Sequence, residues 1–129
     1  MMRAASCSNQ NAAKPNQLRA MSDVEAAWVG AFIEADGYAG LIRYYERGHG
    51  QFYKRLRPRI DVTAKNPEDI STLLRLTGTG SVTMRPPTES ALGKGPYLKW
   101  SIGSNATAIA LASRCAPYSP KLAALVCGA

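Results

Sequence analysis

Three arginines at alternate positions, Arg55, Arg57 and Arg59, give the sequence its clearest chemical bias. Alternate residues of an extended strand share a face, so residues 51–65 divide into two sets. Phe52, Lys54, Leu56, Pro58, Ile60, Val62 and Ala64 form a largely apolar set. Gln51, Tyr53, Arg55, Arg57, Arg59, Asp61, Thr63 and Lys65 form the polar one. Like charges at successive same-face positions repel, so an anion is expected against the polar face. Phosphates and base edges suit it, and a plain solvated exterior is the alternative. The whole chain leans the same way: 16 Lys+Arg against 9 Asp+Glu give +7, a balance that favours nucleic acid as partner. The acids that stand out are Glu34 and Asp36, which close the apolar run 28–33 as acid, small residue, acid, glycine. Other chemistry is poorly supplied. His49 is the single histidine and lies between two glycines, which excludes a histidine-based nuclease motif, a Ser-His-Asp triad and a two-histidine metal site. Cys7, Cys115 and Cys127 are odd in number and far apart, giving neither a disulfide framework nor zinc spacing. They are expected to be reduced, in an intracellular protein.

The elements that must position these residues can be read in order. Ser22 and Glu25 make a capping box, and Asp23 adds negative charge to the same first turn. Val24, Trp28, Ala31 and Ala35 recur at helical spacing, and Gly37 suits the left-handed residue that ends a helix. Gly30 costs a mid-helix position roughly 1 kcal/mol relative to alanine. Beside Ala31 it makes a smooth strip open to close approach by another backbone, with Asp36 at its foot. Residues 38–47 predict a strand, 48–50 a hairpin turn and 51–65 the return strand, where Pro58 marks a bulge or an edge. In the first strand Arg43, Tyr45 and Arg47 share one face and Ile42, Tyr44 and Glu46 the other; the pattern alone leaves open which meets the anion. Asn66, Pro67, Glu68 and Asp69 start a short helix that Gly78 or Gly80 ends. A second hairpin follows over 80–85 and 97–102, then a helix capped by Ser104 or Asn105, a break at 117–120, and the first turns of one more helix over 121–126. Trp100 is assigned to the core, while Tyr53 and Tyr97 could stack on bases. At 129 residues this is one domain, residues 21–129, behind a polar, acid-free leader, 1–20, expected to be disordered or to precede a true start at Met21. No apolar run approaches the roughly 18 residues of a membrane span.

Residues 29–37, V-G-A-F-I-E-A-D-G, resemble the signature of the LAGLIDADG homing endonucleases. Ala35, Asp36 and Gly37 match it outright; Val29, Phe32 and Glu34 are like-for-like, and Gly30 and Ala31 keep the small pair in reversed order. The element order helix, hairpin, helix, hairpin, helix resembles that family over about 22–126, as do residues 62–65, 78–82 and 117–121. The resemblance implies an α+β fold, an αββαββα domain with a four-stranded antiparallel sheet and helices on one face. It further implies a site-specific DNA endonuclease that hydrolyses phosphodiester bonds of double-stranded DNA, with the intron-encoded setting common in the family.

A single motif in the chain implies a homodimer through Val29, Gly30 and Ala31 of two copies, which brings Asp36 of each copy together. Two carboxylates about 4 Å apart repel by roughly 4 kcal/mol at an effective dielectric near 20, a cost that a divalent cation such as Mg²⁺ removes. In the resemblance Asp36 and the carbonyl of Ala35 hold that metal, Lys121 is the late active-site lysine, and Glu34 is structural. Arg55, Arg57, Arg59, Thr63, Lys65, Arg85 and Lys99 are the candidate DNA-binding residues, since side chains at every second position of a two-stranded ribbon can meet successive base edges and phosphates in a major groove. Ala64 departs from the family, which often carries a polar residue there to organise water, and the spacing from Pro117 to Lys121 is short. The chain stops at Ala129 as its last helix begins, so a truncated or degenerate reading frame is one expectation. A non-cleaving nucleic-acid binder, maturase-like or regulator-like, is the alternative function.

Overall fold

Helix α1 (Asp23–Asp36) begins at the expected capping box, with Ser22 Oγ accepting from the Glu25 amide at 3.1 Å and Glu25 accepting from the Ser22 amide at 3.0 Å. The computed structural model describes residues 17–85 and 97–128, with the backbone alone at Arg85. The remaining elements are β1 (Gly37–Gly48), β2 (Gln51–Ala64), α2 (Pro67–Thr77), β3 (Ser81–Arg85), β4 (Tyr97–Ser101), α3 (Asn105–Cys115) and α4 (Pro120–Gly128). A short 3-10 turn, Ala116–Tyr118, joins the last two helices. The strands form one antiparallel sheet in the order β1-β2-β4-β3, so the expected α+β, αββαββα arrangement is the observed one.

Local chemistry explains most boundaries. His49 and Gly50 both have positive φ, 52° and 76°, as a two-residue hairpin loop between Gly48 and Gln51 requires. Asn66 caps α2 by accepting from the Glu68 amide, and Gly78, left-handed at φ 69°, ends it. Gly37 differs from expectation. Its φ of −106° is extended, and the chain passes from α1 straight into β1. What the position needs is the missing side chain, since a Cβ would come within 2.9 Å of the Ile33 carbonyl. Pro58 makes no bulge: β1 and β2 pair in one unbroken register. The amide of Ile102 donates to Ile60 O, so the polar edge of Pro58 points to the same side, beyond the Asp61–Ser101 pair that ends the β2–β4 ladder. Pro58 therefore lies on a free edge.

The helices cover one face of the sheet. Ile60, Val62, Trp100 and Ile102 point into this layer and pack with Ala26, Val29 and Ile33 of α1, Leu73 of α2 and Leu111 of α3. Trp100 is fully buried, donates from its indole to Thr79 O at 3.0 Å, and lies so close over Gly80 that no Cβ would fit. Residues 17–20, set aside with the leader in the sequence reading, belong to the fold. The Arg19 amide donates to Thr77 O, its guanidinium to Leu76 O, and Leu18 packs on the core. Residues 1–16 of that leader lie outside the described residues. Among the described residues no helix is long and apolar enough to cross a membrane.

Candidate nucleic-acid interface

Register fixes which side chains share the uncovered face. On β2 these are Arg55, Arg57, Arg59, Asp61 and Thr63, opposite Tyr44, Ile42, Gly40 and Tyr38 of β1. Lys99 joins them through its pairing with Thr63, and the backbone of Arg85 through its pairing with Tyr97 on the same side. The question left open for β1 is thereby answered: Ile42, Tyr44 and Glu46 share the arginine face, and Arg43, Tyr45 and Arg47 share the other. Lys65 follows the end of β2 and is exposed. The arginine row is thus joined by one lysine of a neighbouring strand.

The row is less bare than its sequence suggests. Arg55 pairs with Glu46 at 3.0 Å and Arg59 with Asp61 at 2.7 Å, while Lys99 lies 3.9 Å from the same Asp61 oxygen. Arg57 stands over the Tyr44 ring at 5.7 Å, and its Nε is buried without an acceptor among the described residues. The repulsion that called for an external anion is therefore relieved partly inside the chain, by two carboxylates. Asp61 is the residue that the sequence reasoning missed, although its position two residues after Arg59 in the polar set was the signal. The Arg55–Glu46 pair is half exposed on both sides, and pairs of that kind are worth only about 0–1 kcal/mol, so a phosphate can replace the carboxylate at small cost. Arg57, Arg59, Lys99 and Ser101 line a concavity of about 380 Å³ on this face. Tyr53 is 38% exposed and available for stacking; Tyr97, at 8%, is not.

At the near end of this face lies the acid pair. Two residues apart on a helix of 3.6 residues per turn, Glu34 and Asp36 point in nearly opposite directions. Glu34 turns to the start of α4, where its Oε1 accepts from the Lys121 amide and from Ser119 Oγ, both at 2.9 Å. The Lys121 amide bond, with the Ser119 hydroxyl, holds the Glu34 carboxyl below its ordinary pKa. Glu34 thus ties the end of α1 to the start of α4. Lys121, carried on the clamped turn, donates from Nζ to Gly37 O at 2.9 Å, beside Asp36. Asp36 is exposed, and its side chain has no hydrogen bond or ion pair among the described residues. It stands at the end of α1, which has no basic residue in its last turn, and the Lys121 ammonium lies alongside on Gly37 O.

The interface residues expected on α1 need correction. Val29 and Gly30 are buried inside this chain, and a Cβ at Gly30 would meet Tyr118 Cβ at 2.8 Å. The absent side chain admits the 3-10 turn of the same chain. The surface strip is instead Val24, Trp28, Ala31 and Ala35, with Ala31 and Ala35 one turn apart and leading to Asp36. Of the three residues, only Ala31 faces outward. Ala64 points inward and packs on the core, so the uncovered face at the end of β2 offers Thr63.

One chain presents a single carboxylate at this corner, together with the Ala35 carbonyl; the described residues hold no group of three or more metal-ligating side chains. Oxygen donors without imidazole or thiolate suit a hard cation such as Mg²⁺ or Ca²⁺, and one carboxylate per chain suits a site completed by a second copy. No protein-family model and no curated protein sequence matches the chain. Solved structures do. The homing endonuclease I-CvuI, in complex with its target in the presence of calcium, superimposes with a TM-score of 0.61 at 14% identity, over 81% of this chain and 64% of that one. An archaeal intron-encoded homing endonuclease complexed with DNA gives 0.54 at 22% identity over 74% of this chain and 56% of that one. The group I intron-encoded endonuclease I-CeuI, also complexed with DNA, gives 0.54 at 16% identity over 84% and 53%. The chain thus spans between about half and two thirds of the length of the proteins it matches, and its fold is that of the LAGLIDADG homing endonucleases.

Proposed function

We propose that this chain is one subunit of a homodimeric, divalent-cation-dependent endonuclease acting on double-stranded DNA. The observation that carries the proposal is the corner where the Ala31–Ala35 strip, the exposed Asp36 and the Lys121 ammonium meet, at the end of a sheet face bearing Arg55, Arg57, Arg59 and Lys99. Small residues one turn apart let two helices approach closely, and such an approach about a two-fold axis sets the Asp36 carboxylates side by side. Asp36 and the Ala35 carbonyl would hold the cation. When bound, it supplies an activated water and charge stabilisation at the leaving oxygen. The chain's own part is positioning. The arginine face grips phosphates and reads base edges of a major groove, and Glu34 fixes the α4 turn so that the Lys121 ammonium stays at the corner, next to where phosphate charge would develop.

The test uses the full chain and a randomised duplex library, with Mg²⁺ or EDTA, beside Asp36→Asn. Cleavage of a subset of sequences, abolished by EDTA and by the substitution, is expected. Salt-sensitive duplex binding with no cleavage in any reaction would overturn the enzyme and leave the non-cleaving binder. Ala64 favours that second reading, because its methyl packs inward on the core and offers no polar group at the position where one would organise water.

A further inference from the structure

The β1–β2 hairpin outruns the helices. Leu41 and Ile60 are the last residues of its inner face packed on the core, and beyond them that face is open. There the register pairs Arg43 with Leu56, Tyr45 with Lys54 and Arg47 with Phe52. Cations and apolar side chains therefore alternate both along and across the ribbon. Tyr45 is 65% exposed, Phe52 70% and Leu56 56%. Both hairpin acids, Glu46 and Asp61, lie on the opposite face, so this one carries three cations and no carboxylate. Arg47 sits over the Phe52 ring at 5.6 Å, while Arg43 and Lys54 have no partner among the described residues.

We infer that this reverse face of the hairpin is a second binding surface, for single-stranded nucleic acid. Its charge selects an anion and repels a second copy of the same face, which has no acid to offer in return. Its exposed rings select a flat partner, and stacking on such rings combined with backbone cations is how single strands are held without sequence readout. Spacing distinguishes one strand from two. Same-face residues of a strand recur every ~6.7 Å, twice the rise per residue. Bases stacked in a duplex recur every ~3.4 Å and keep their faces hidden. Only unstacked bases can reach successive positions here. The surface is separate from the arginine face, and the inference does not depend on cleavage or on duplex binding.

Fluorescence anisotropy with the full chain tests it, using labelled single strands of about 12 nucleotides, RNA and DNA in separate arms, and a labelled duplex. The Tyr45→Ala/Phe52→Ala pair is compared with Arg57→Ala on the other face. Both aromatic side chains are exposed, and unchanged thermal unfolding verifies that the pair folds. The paired substitution is expected to weaken single-strand binding at least about tenfold and duplex binding less than twofold; Arg57→Ala does the reverse. Equal affinity in the RNA and DNA arms supports a surface that ignores the sugar, and a preference identifies the natural strand. Absence of single-strand binding at low salt overturns the inference, as does binding unaffected by the aromatic pair. Sedimentation showing that the pair abolishes self-association while single-strand binding persists would assign the face to a second copy instead, and also overturns it. A protein that fails to bind or cleave duplex DNA would leave this test intact.

Discussion

The base and the tip of the β1–β2 ribbon share one register but meet different surroundings. At the base, Ile60 and Val62 are fully buried under three helices, and the uncovered side presents Arg59 and Asp61 locked together. Toward the tip, Leu56 and Phe52 continue the same inward-facing set yet stand 56% and 70% exposed. The base holds the arginine face rigidly against the Asp36 corner, because Gly37 and Val62 pair where α1 becomes β1. Among the described residues the tip has only strand pairing and side-chain pairs to order it, so its geometry is free to follow a ligand. The sharpest break in this comparison comes from two truncations on one face of β2. Ile60→Ala should cost about 2–5 kcal/mol by the usual loss for emptied core positions, whereas Leu56→Ala should cost within about 0.5 kcal/mol. Urea unfolding of both variants measures the difference, and equal losses would mean that something covers the tip.

That boundary shows where sequence pattern stops informing. Alternation from Phe52 to Ala64 is uniform, so it assigned all these residues to one face correctly and said nothing of how far the helices reach. Element order, caps and the hairpin turn were legible because each rests on local chemistry: Ser22 with Glu25, Asn66 with Pro67, Gly50 after His49. The Lys121 contact with Gly37 O spans 84 positions and depends on the bend at Ala116–Tyr118, which no spacing rule resolves. Glu46 was visible as an acid, yet its pairing with Arg55 needed the register, whereas Asp61 stands two residues from Arg59 on the same strand.

The two faces of α1 repeat the contrast on a smaller scale. Gly30 and Ala31 are adjacent and both small, but one admits the turn at Tyr118 and the other lies on the surface. Gly30→Ala should destabilise the chain by about 1–3 kcal/mol, an overpacking cost that outweighs the helix propensity gained. Ala31→Glu should leave the folded monomer within about 0.5 kcal/mol of the parent and weaken dimerisation at least tenfold. Thermal unfolding at low concentration and sedimentation equilibrium separate these effects. A dimer indifferent to Ala31→Glu would move the two-fold axis off this strip.

Residues 17–20 extend the base at its far side. Starting the chain at Met21 removes the Arg19 backbone bond to Thr77 O and the packing of Leu18, and should cost about 1–2 kcal/mol. Denaturant midpoints of the full chain and of residues 21–129 check this. Equal midpoints would return these residues to the status of a leader.

The smallest effect concerns the clamp that keeps Lys121 beside Asp36. Glu34 titrates below its ordinary value near 4.5 in the folded chain, because the Lys121 amide and the Ser119 hydroxyl hold the carboxylate. A carboxyl whose folded pKa is depressed binds fewer protons in the native state than in the unfolded one. Its contribution is therefore complete above about pH 4.5 and falls away as the pH drops through the folded value. Glu34→Gln keeps the shape and an acceptor oxygen but not the charge. Its thermal midpoint should lie below the parent's at neutral pH and converge with it in acid. A gap that stays constant from pH 7 to pH 3 would show that Glu34 acts through shape alone, and the ammonium at the corner would then owe its position to packing of the Ala116–Tyr118 turn against Gly30.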